Sequence, residues 1–176
     1  MPGDDDETQA MDTVARMEIR EATDDDWAQI WPFFQQIVLD GETYAYPEDL
    51  TSETARELWF EPGGHVVVAV DGSTVLGTAK TGPNRPGRGS HVSTASFMVS
   101  PATAGKGVGR ALGEHVLGWA REAGFRSMQF NAVVETNAVA VRLWRSLGFE
   151  VIGTVPEAFD HPRHGFVGLH VMYRPL

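Results

Sequence analysis

The sequence contains no cysteine. That excludes disulfides, thiolate metal sites and a cysteine nucleophile, and leaves carboxylates, histidines, tyrosines and amides to carry any chemistry. No run of about 18 apolar residues occurs, and the N-terminus lacks a basic-then-apolar signal pattern. Neither a membrane span nor secretion is expected, and a cytoplasmic location is the default. Lysine is scarce, with Lys80 and Lys106 alone, and the 14 basic residues are outnumbered by 24 acidic ones. That balance argues against a nucleic-acid footprint. The six histidines (His65, His91, His115, His161, His164, His170) show no metal-ligand spacing such as H-E-x-x-H, so no metal is expected.

What is present falls into two parts. Residues 1–15 hold five acids and no base; they are polar without period and read as a disordered acidic tail. Residues 16–176 read as one domain, in a chain that is 42% apolar and long enough for a substantial core. Met17 to Arg20 alternates as a short strand. Thr23-Asp24-Asp25-Asp26 then forms a capping box, and Trp27, Ile30, Trp31, Phe34 and Val38 recur at helical spacing up to Gly41. Pro32 should kink that helix or split it in two. A loop, Gly41 to Pro47, carries Tyr44 and Tyr46. A second short helix follows, capped by Thr51 or Ser52 and running through Trp59. His65 to Val70 and Thr74 to Thr81 read as a hairpin around Asp71-Gly72, and the loop Gly82 to Gly89 holds three Gly and two Pro, fitting an exposed, mobile segment. His91 to Val99 is the next strand, a helix runs from Val108 to Ala123, and Met128 to Val134 is strand-like, with Phe130, Ala132 and Val134 alternating against Gln129, Asn131 and Val133. A short helix spans Asn137 to Leu147. Two last strands, Phe149 to Thr154 and Phe166 to Arg174, are joined by a long polar connection, Pro156 to Gly165. The order is that of an α/β domain with a mixed sheet.

The stretch from Phe97 to Leu112, FMVSPATAGKGVGRAL, organises the chain. It reads as strand, glycine-rich turn and helix. Glycines at alternate positions let a ligand approach the backbone, and the first N–H groups of the helix together with its dipole suit a phosphate. A nucleotide P-loop fails, because Ser100 stands where its first glycine belongs and Gly107 follows Lys106. A dinucleotide turn beginning at Gly105 and Gly107 has Arg110 at its third glycine position and no acidic residue ending a second strand. The turn closely resembles the pyrophosphate turn of the GNAT N-acetyltransferases, Arg/Gln-x-x-Gly-x-Gly/Ala directly after a strand. Ala104-Gly105-Lys106-Gly107-Val108-Gly109 keeps both glycines, and Ala104 departs from the pattern at its first position. The resemblance extends to Glu135-Thr136-Asn137 and to Leu143-Trp144-Arg145-Ser146-Leu147-Gly148-Phe149, where the superfamily usually reads Leu-Tyr-x-x-x-Gly-Phe.

The resemblance implies a mixed, mostly antiparallel sheet of about six to seven strands flanked by about four helices, splayed at its two central strands. It implies acetyl-CoA as cosubstrate, held by Met98, Val99, Ala104, Gly105, Lys106, Gly107, Val108, Gly109 and Arg110, with Asn137 and Trp144 along the pantetheine arm. A backbone N–H near Met98 or Val99 would polarise the thioester carbonyl. Asn131 and Trp144 would face the acceptor, by likeness to a branch that includes fungal enzymes acetylating proline analogues; Tyr44, in the loop that walls the acceptor site of the resembling fold, and Thr94, on the strand where that branch carries an asparagine, are the other acceptor-side candidates. Trp144 stands where many members carry a tyrosine that protonates the leaving thiolate. An indole N–H donates a hydrogen bond but is no practical proton donor, so another group or water must serve.

The implied reaction is direct acetyl transfer to the amine of a small molecule, an amino acid or its analogue, without a covalent enzyme intermediate. An amine attacks only when neutral, and Glu135, then Glu42, are the candidate bases by position. Three alternatives stay open: a non-catalytic CoA-binding sensor, a protein or peptide acetyltransferase, and an unrelated α/β domain. A homodimer is suggested by analogy with the superfamily alone.

Overall fold

The computed structural model describes residues 16–176; the acidic segment 1–15 lies outside the described residues. Seven strands and four α-helices follow in the order anticipated: β1 (Met17–Glu21), α1 (Trp27–Asp40), α2 (Ser52–Trp59), β2 (His65–Asp71), β3 (Thr74–Pro83), β4 (Val92–Val99), α3 (Val108–Glu122), β5 (Ser127–Val134), α4 (Ala138–Ser146), β6 (Glu150–His161) and β7 (Gly165–Pro175). The sheet runs β1-β2-β3-β4-β5-β7-β6. Every neighbouring pair is antiparallel except β4 and β5, which are parallel.

The sheet is buried on both faces at its centre. In β2, the run Val66 to Val70 sends Val67 and Ala69 to one core, with Leu112, Val116 and Met128, and Val66, Val68 and Val70 to another, with Trp27, Ile30, Phe34 and Trp59. A strand covered on both faces reads as a continuous apolar run rather than an alternation. Helices α3 and α4 cover the first face, and α1 and α2 the second. No helix among the described residues is long and apolar enough to cross a membrane.

Two local expectations are corrected, and one of the two alternatives for Pro32 is removed. Pro32 does not split α1, which runs unbroken from Trp27 to Asp40. The bond its missing N–H forfeits is to the carbonyl of Ala28, an exposed residue of the first turn that solvent can reach. In β5 the alternation breaks: the register with β7 shifts between Phe130 and Val133. The extra residue is a β-bulge, so Phe130 and Val133 both reach the α3-side core while Val134 joins Phe159 and Val167 on the other face. Finally, Pro156 to His161 is strand rather than connection. β6 pairs with β7 as far as His161, with an irregularity between Val155 and Phe159 in which Glu157 takes φ 51°. Burial of Phe159 against Val134 and Val167 holds the strand in place past that break.

Candidate active site

β4 and β5 are paired only at Val92 with Ser127 and Ser93 with Met128. Beyond those pairs the strands part, and Thr94 to Val99 and Phe130 to Val134 become opposite walls of a cleft of about 630 Å³. Successive residues of β4 point to opposite faces, so the cleft opens through the sheet. Thr94, Ser96 and Met98 look toward α1 and α2; Ala95, Phe97 and Val99 look toward α3, where they pack on its core.

Parting leaves one edge of β4 without a strand partner. In an antiparallel pair the backbone groups of successive residues alternate between the partner strand and the opposite edge. Tyr44, from the loop after α1, donates its O–H to the Phe97 carbonyl at 2.6 Å and accepts the Phe97 N–H at 2.9 Å. Phe97 therefore faces the gap. Met98 turns its backbone groups to Thr78 of β3, and Val99 returns to the gap. Of the two N–H groups considered for a carbonyl, Val99's faces the gap and Met98's is committed to the sheet.

The turn after β4 is anchored from below and bare on top. Thr103 donates its hydroxyl to the Leu76 carbonyl at 3.0 Å. Gly105 and Gly107 hold φ of 78° and 79°, a left-handed backbone that glycine alone adopts without strain. Gly107 is the N-cap of α3 and no side chain caps the helix. The N–H groups of Val108, Gly109 and Arg110 stay available for an anion. The Val108 side chain itself is 1% exposed and belongs to the core, so it can contribute only through its backbone. Arg110 reaches Ser146 of α4 at 2.6 Å, tying the two helices together, and Ala104 lines the cleft. Lys106 makes no ion pair among the described residues.

Asn137 opens α4 as its N-cap, accepting the Ala140 N–H at 3.2 Å, and also lines the cleft. Trp144 is only 7% exposed and packs on Phe97 and Phe130, with ring centroids at 4.6 and 4.9 Å. It is at once a core aromatic and part of the cleft wall.

On the α1/α2 face the wall is aromatic and hydroxylic. Tyr44 stacks on Tyr46 at 5.3 Å, and Tyr46 on Phe34 at 5.7 Å. Burial pushes both phenols above their ordinary pKa. Asn131 accepts from Gln129 at 2.8 Å and donates to Asn84 at 2.6 Å, so its amide orientation is fixed from two sides. Asn84, in the Gly- and Pro-rich loop, and Phe159, in the supposed connection, were not singled out from the sequence. Their signal was hidden in segments that read as irregular.

Neither candidate carboxylate lines the cleft. Glu42 pairs with Arg163 in the β6–β7 turn. Glu135 accepts the Gly168 N–H at 2.6 Å and donates its own N–H to the Gly168 carbonyl at 3.0 Å, closing the β5–β7 ladder. No cluster of three or more His, Asp or Glu able to hold a metal occurs among the described residues.

The sheet is thus parted at its parallel pair, with an uncapped helix start on one side of the opening and a hydroxyl-bearing wall on the other. Residues 25–149 match the profile of the Acetyltransferase (GNAT) family. The L-methionine sulfoximine/L-methionine sulfone acetyltransferase of Salmonella typhimurium (strain LT2) is 33% identical over 147 residues, 80% of this chain and 84% of that protein. A GCN5-related N-acetyltransferase from Kribbella flavida superposes with a TM-score of 0.89 at 60% identity, over 92% of this chain and 99% of that one. A GNAT superfamily phosphinothricin acetyltransferase from Sinorhizobium meliloti, solved in complex with AcCoA, superposes with a TM-score of 0.81 at 26% identity, over 92% and 89%. The chain belongs to the GNAT family of acetyltransferases.

Proposed function

We propose that the protein moves acetyl from acetyl-CoA to the amine of a small molecule, an amino acid or an amino-acid analogue, by direct attack within a ternary complex. The observation that carries this is the cleft running through the sheet between Thr94–Val99 and Phe130–Val134. Two substrates entering from opposite faces meet there, and holding them together supplies much of the acceleration.

The residues fit the donor. A turn with left-handed glycines at Gly105 and Gly107 and an uncapped helix start suits a pyrophosphate. The gap-facing Val99 N–H suits a carbonyl, and Asn137 and Trp144 continue along the wall. Acetyl-CoA brings an activated acyl group, so the chain's own task is to bind, orient and manage protons. On the opposite face Tyr44, Tyr46, Thr94 and Asn131 would hold the acceptor. The relative acting on methionine sulfoximine and sulfone favours an acceptor of amino-acid type.

Calorimetric titration of acetyl-CoA into the protein and into the Gly107→Trp variant tests the donor site. Binding in the wild type and its loss in the variant are expected, because an indole at that position strains the turn and covers the N–H groups. A thiol-release assay across amino acids, their analogues and simple amines then tests turnover. No binding at millimolar acetyl-CoA would overturn the proposal, and binding without thiol release on any amine would leave a CoA sensor instead.

A further inference from the structure

Among the described residues, no charged side chain lines the cleft. Its lining includes no Asp, Glu, Lys, Arg or His; the groups with exchangeable protons are the hydroxyls of Thr43, Tyr44, Tyr46, Thr94 and Ser96, the amides of Asn131 and Asn137, and the Trp144 indole. Both nearby carboxylates are engaged elsewhere, Glu42 with Arg163 and Glu135 with the Gly168 N–H. Acetyl transfer needs no net base or acid. One proton leaves the attacking amine and one arrives on the departing sulfur, so a neutral group that accepts and donates together is sufficient.

One hydroxyl already does both at the open edge of β4. The Tyr44 side chain comes from the acceptor-side loop, and its oxygen accepts the Phe97 N–H while its O–H donates to the Phe97 carbonyl. A hydroxyl oxygen has two lone pairs and a rotatable proton. The Phe97 N–H can hold the oxygen in place while the second lone pair takes a new donor and the O–H turns toward a new acceptor.

We propose that Tyr44 is the proton relay of the reaction, standing in for the tyrosine absent at Trp144. The C–N bond forms and the C–S bond breaks; the amine proton passes to Tyr44 Oη, and the Tyr44 hydroxyl proton passes to sulfur. Tyr44 ends as it began, and no ion is created in the cleft. The burial that raises its pKa opposes a free phenolate and favours concerted exchange over stepwise ionisation. The Trp144 indole can donate a hydrogen bond to the sulfur but gives no proton.

This rests on the acetyl-transfer reading, and the test separates the two. CoA and desulfo-CoA are titrated at about pH 9, where a thiol of pKa near 8.5 is largely thiolate, into the wild type and Tyr44→Phe. The wild type is expected to prefer CoA about tenfold, the scale of a charge-assisted hydrogen bond to sulfur, and Tyr44→Phe to lose that preference while binding desulfo-CoA as before. Single-turnover acetylation in Tyr44→Phe is expected to fall about a hundredfold. A preference for CoA that survives in Tyr44→Phe, or a single-turnover rate within threefold of wild type, overturns the relay. A wild type that acetylates no amine overturns the acetyl-transfer reading, while the ratio of the two affinities still reports whether Tyr44 reaches the sulfur.

Discussion

Gly113 of α3 lies against Trp144 of α4 so closely that a Cβ added to the glycine would stand 3.1 Å from Trp144 Cζ3 and 2.7 Å from Leu147 Cδ1. Alanine in a helix interior is ordinarily worth about 1 kcal/mol over glycine. Here the added methyl has to displace the buried Leu147 side chain and crowd the indole, at about 1–3 kcal/mol. Gly118, one and a half turns on, has nothing within 4 Å of such a Cβ. Gly113→Ala is therefore expected to lower Tm and weaken acetyl-CoA binding, and Gly118→Ala to raise Tm with binding unchanged. Thermal melts and calorimetry of the pair check this; equal shifts in the two would contradict the close packing.

Asn137 both caps a helix and lines the cleft. Its oxygen caps α4 through the Ala140 N–H, and the residue lines the cleft. Asn137→Asp keeps the cap and suits the helix dipole, but it replaces an N–H donor with a negative charge beside the donor site. Stability is expected to hold while acetyl-CoA affinity falls by about tenfold or more. Asn137→Ala is expected to lose both, with about 1 kcal/mol from the missing cap. Denaturant midpoints measured beside binding constants separate the two roles.

The parts legible in the sequence are those fixed by local chemistry. Glycines with positive φ punctuate the chain at Gly41, Gly105, Gly107, Gly124 and Gly148, each where a helix begins or ends, and the order of elements follows from that punctuation and from apolar spacing. The parted pair was legible only through resemblance to the family, since nothing local says that β4 and β5 separate after Ser93 and Met128. What stayed hidden depends on partners distant in the chain. The bulge in β5 exists only relative to β7, and β6 continues past Pro156 because β7 pairs with it. The tie of Glu135 to Gly168 spans 33 residues, and a carboxylate's position after a strand carries no sign of the backbone group that claims it.

That tie makes a prediction about catalysis. Glu135→Gln retains an acceptor for the Gly168 N–H, so turnover and stability are both expected to stay within about twofold of wild type, as for an exposed change that preserves its hydrogen bond. Glu135→Ala leaves the N–H of buried Gly168 unpaired, at about 1–3 kcal/mol. Steady-state kinetics decide the matter: a large fall in kcat for Glu135→Gln would make this carboxylate the base and remove the need for a hydroxyl relay.

Acid should act first at the start of α1. Asp26 is 5% exposed and takes both guanidinium nitrogens of Arg20 at 2.8 Å and the Thr23 N–H at 2.7 Å. The Arg20 hydrogen bonds, with help from Thr23, hold its carboxyl at about 2 instead of the ordinary 3.8. A carboxyl whose pKa is lowered by folding binds fewer protons folded than unfolded. Its stabilisation is then complete above the unfolded value and drains away as pH falls from about 4 toward 2. The size of the shift corresponds to about 2 kcal/mol. Asp26→Asn keeps an acceptor for Thr23 but gives up the charge, and Arg20, with 38% of its side chain exposed, can turn to water. Urea midpoints are expected to separate wild type from Asp26→Asn at pH 6 and to converge near pH 2. A gap that persists unchanged at the lower pH would mean that Asp26 stabilises the fold through packing rather than through its charge.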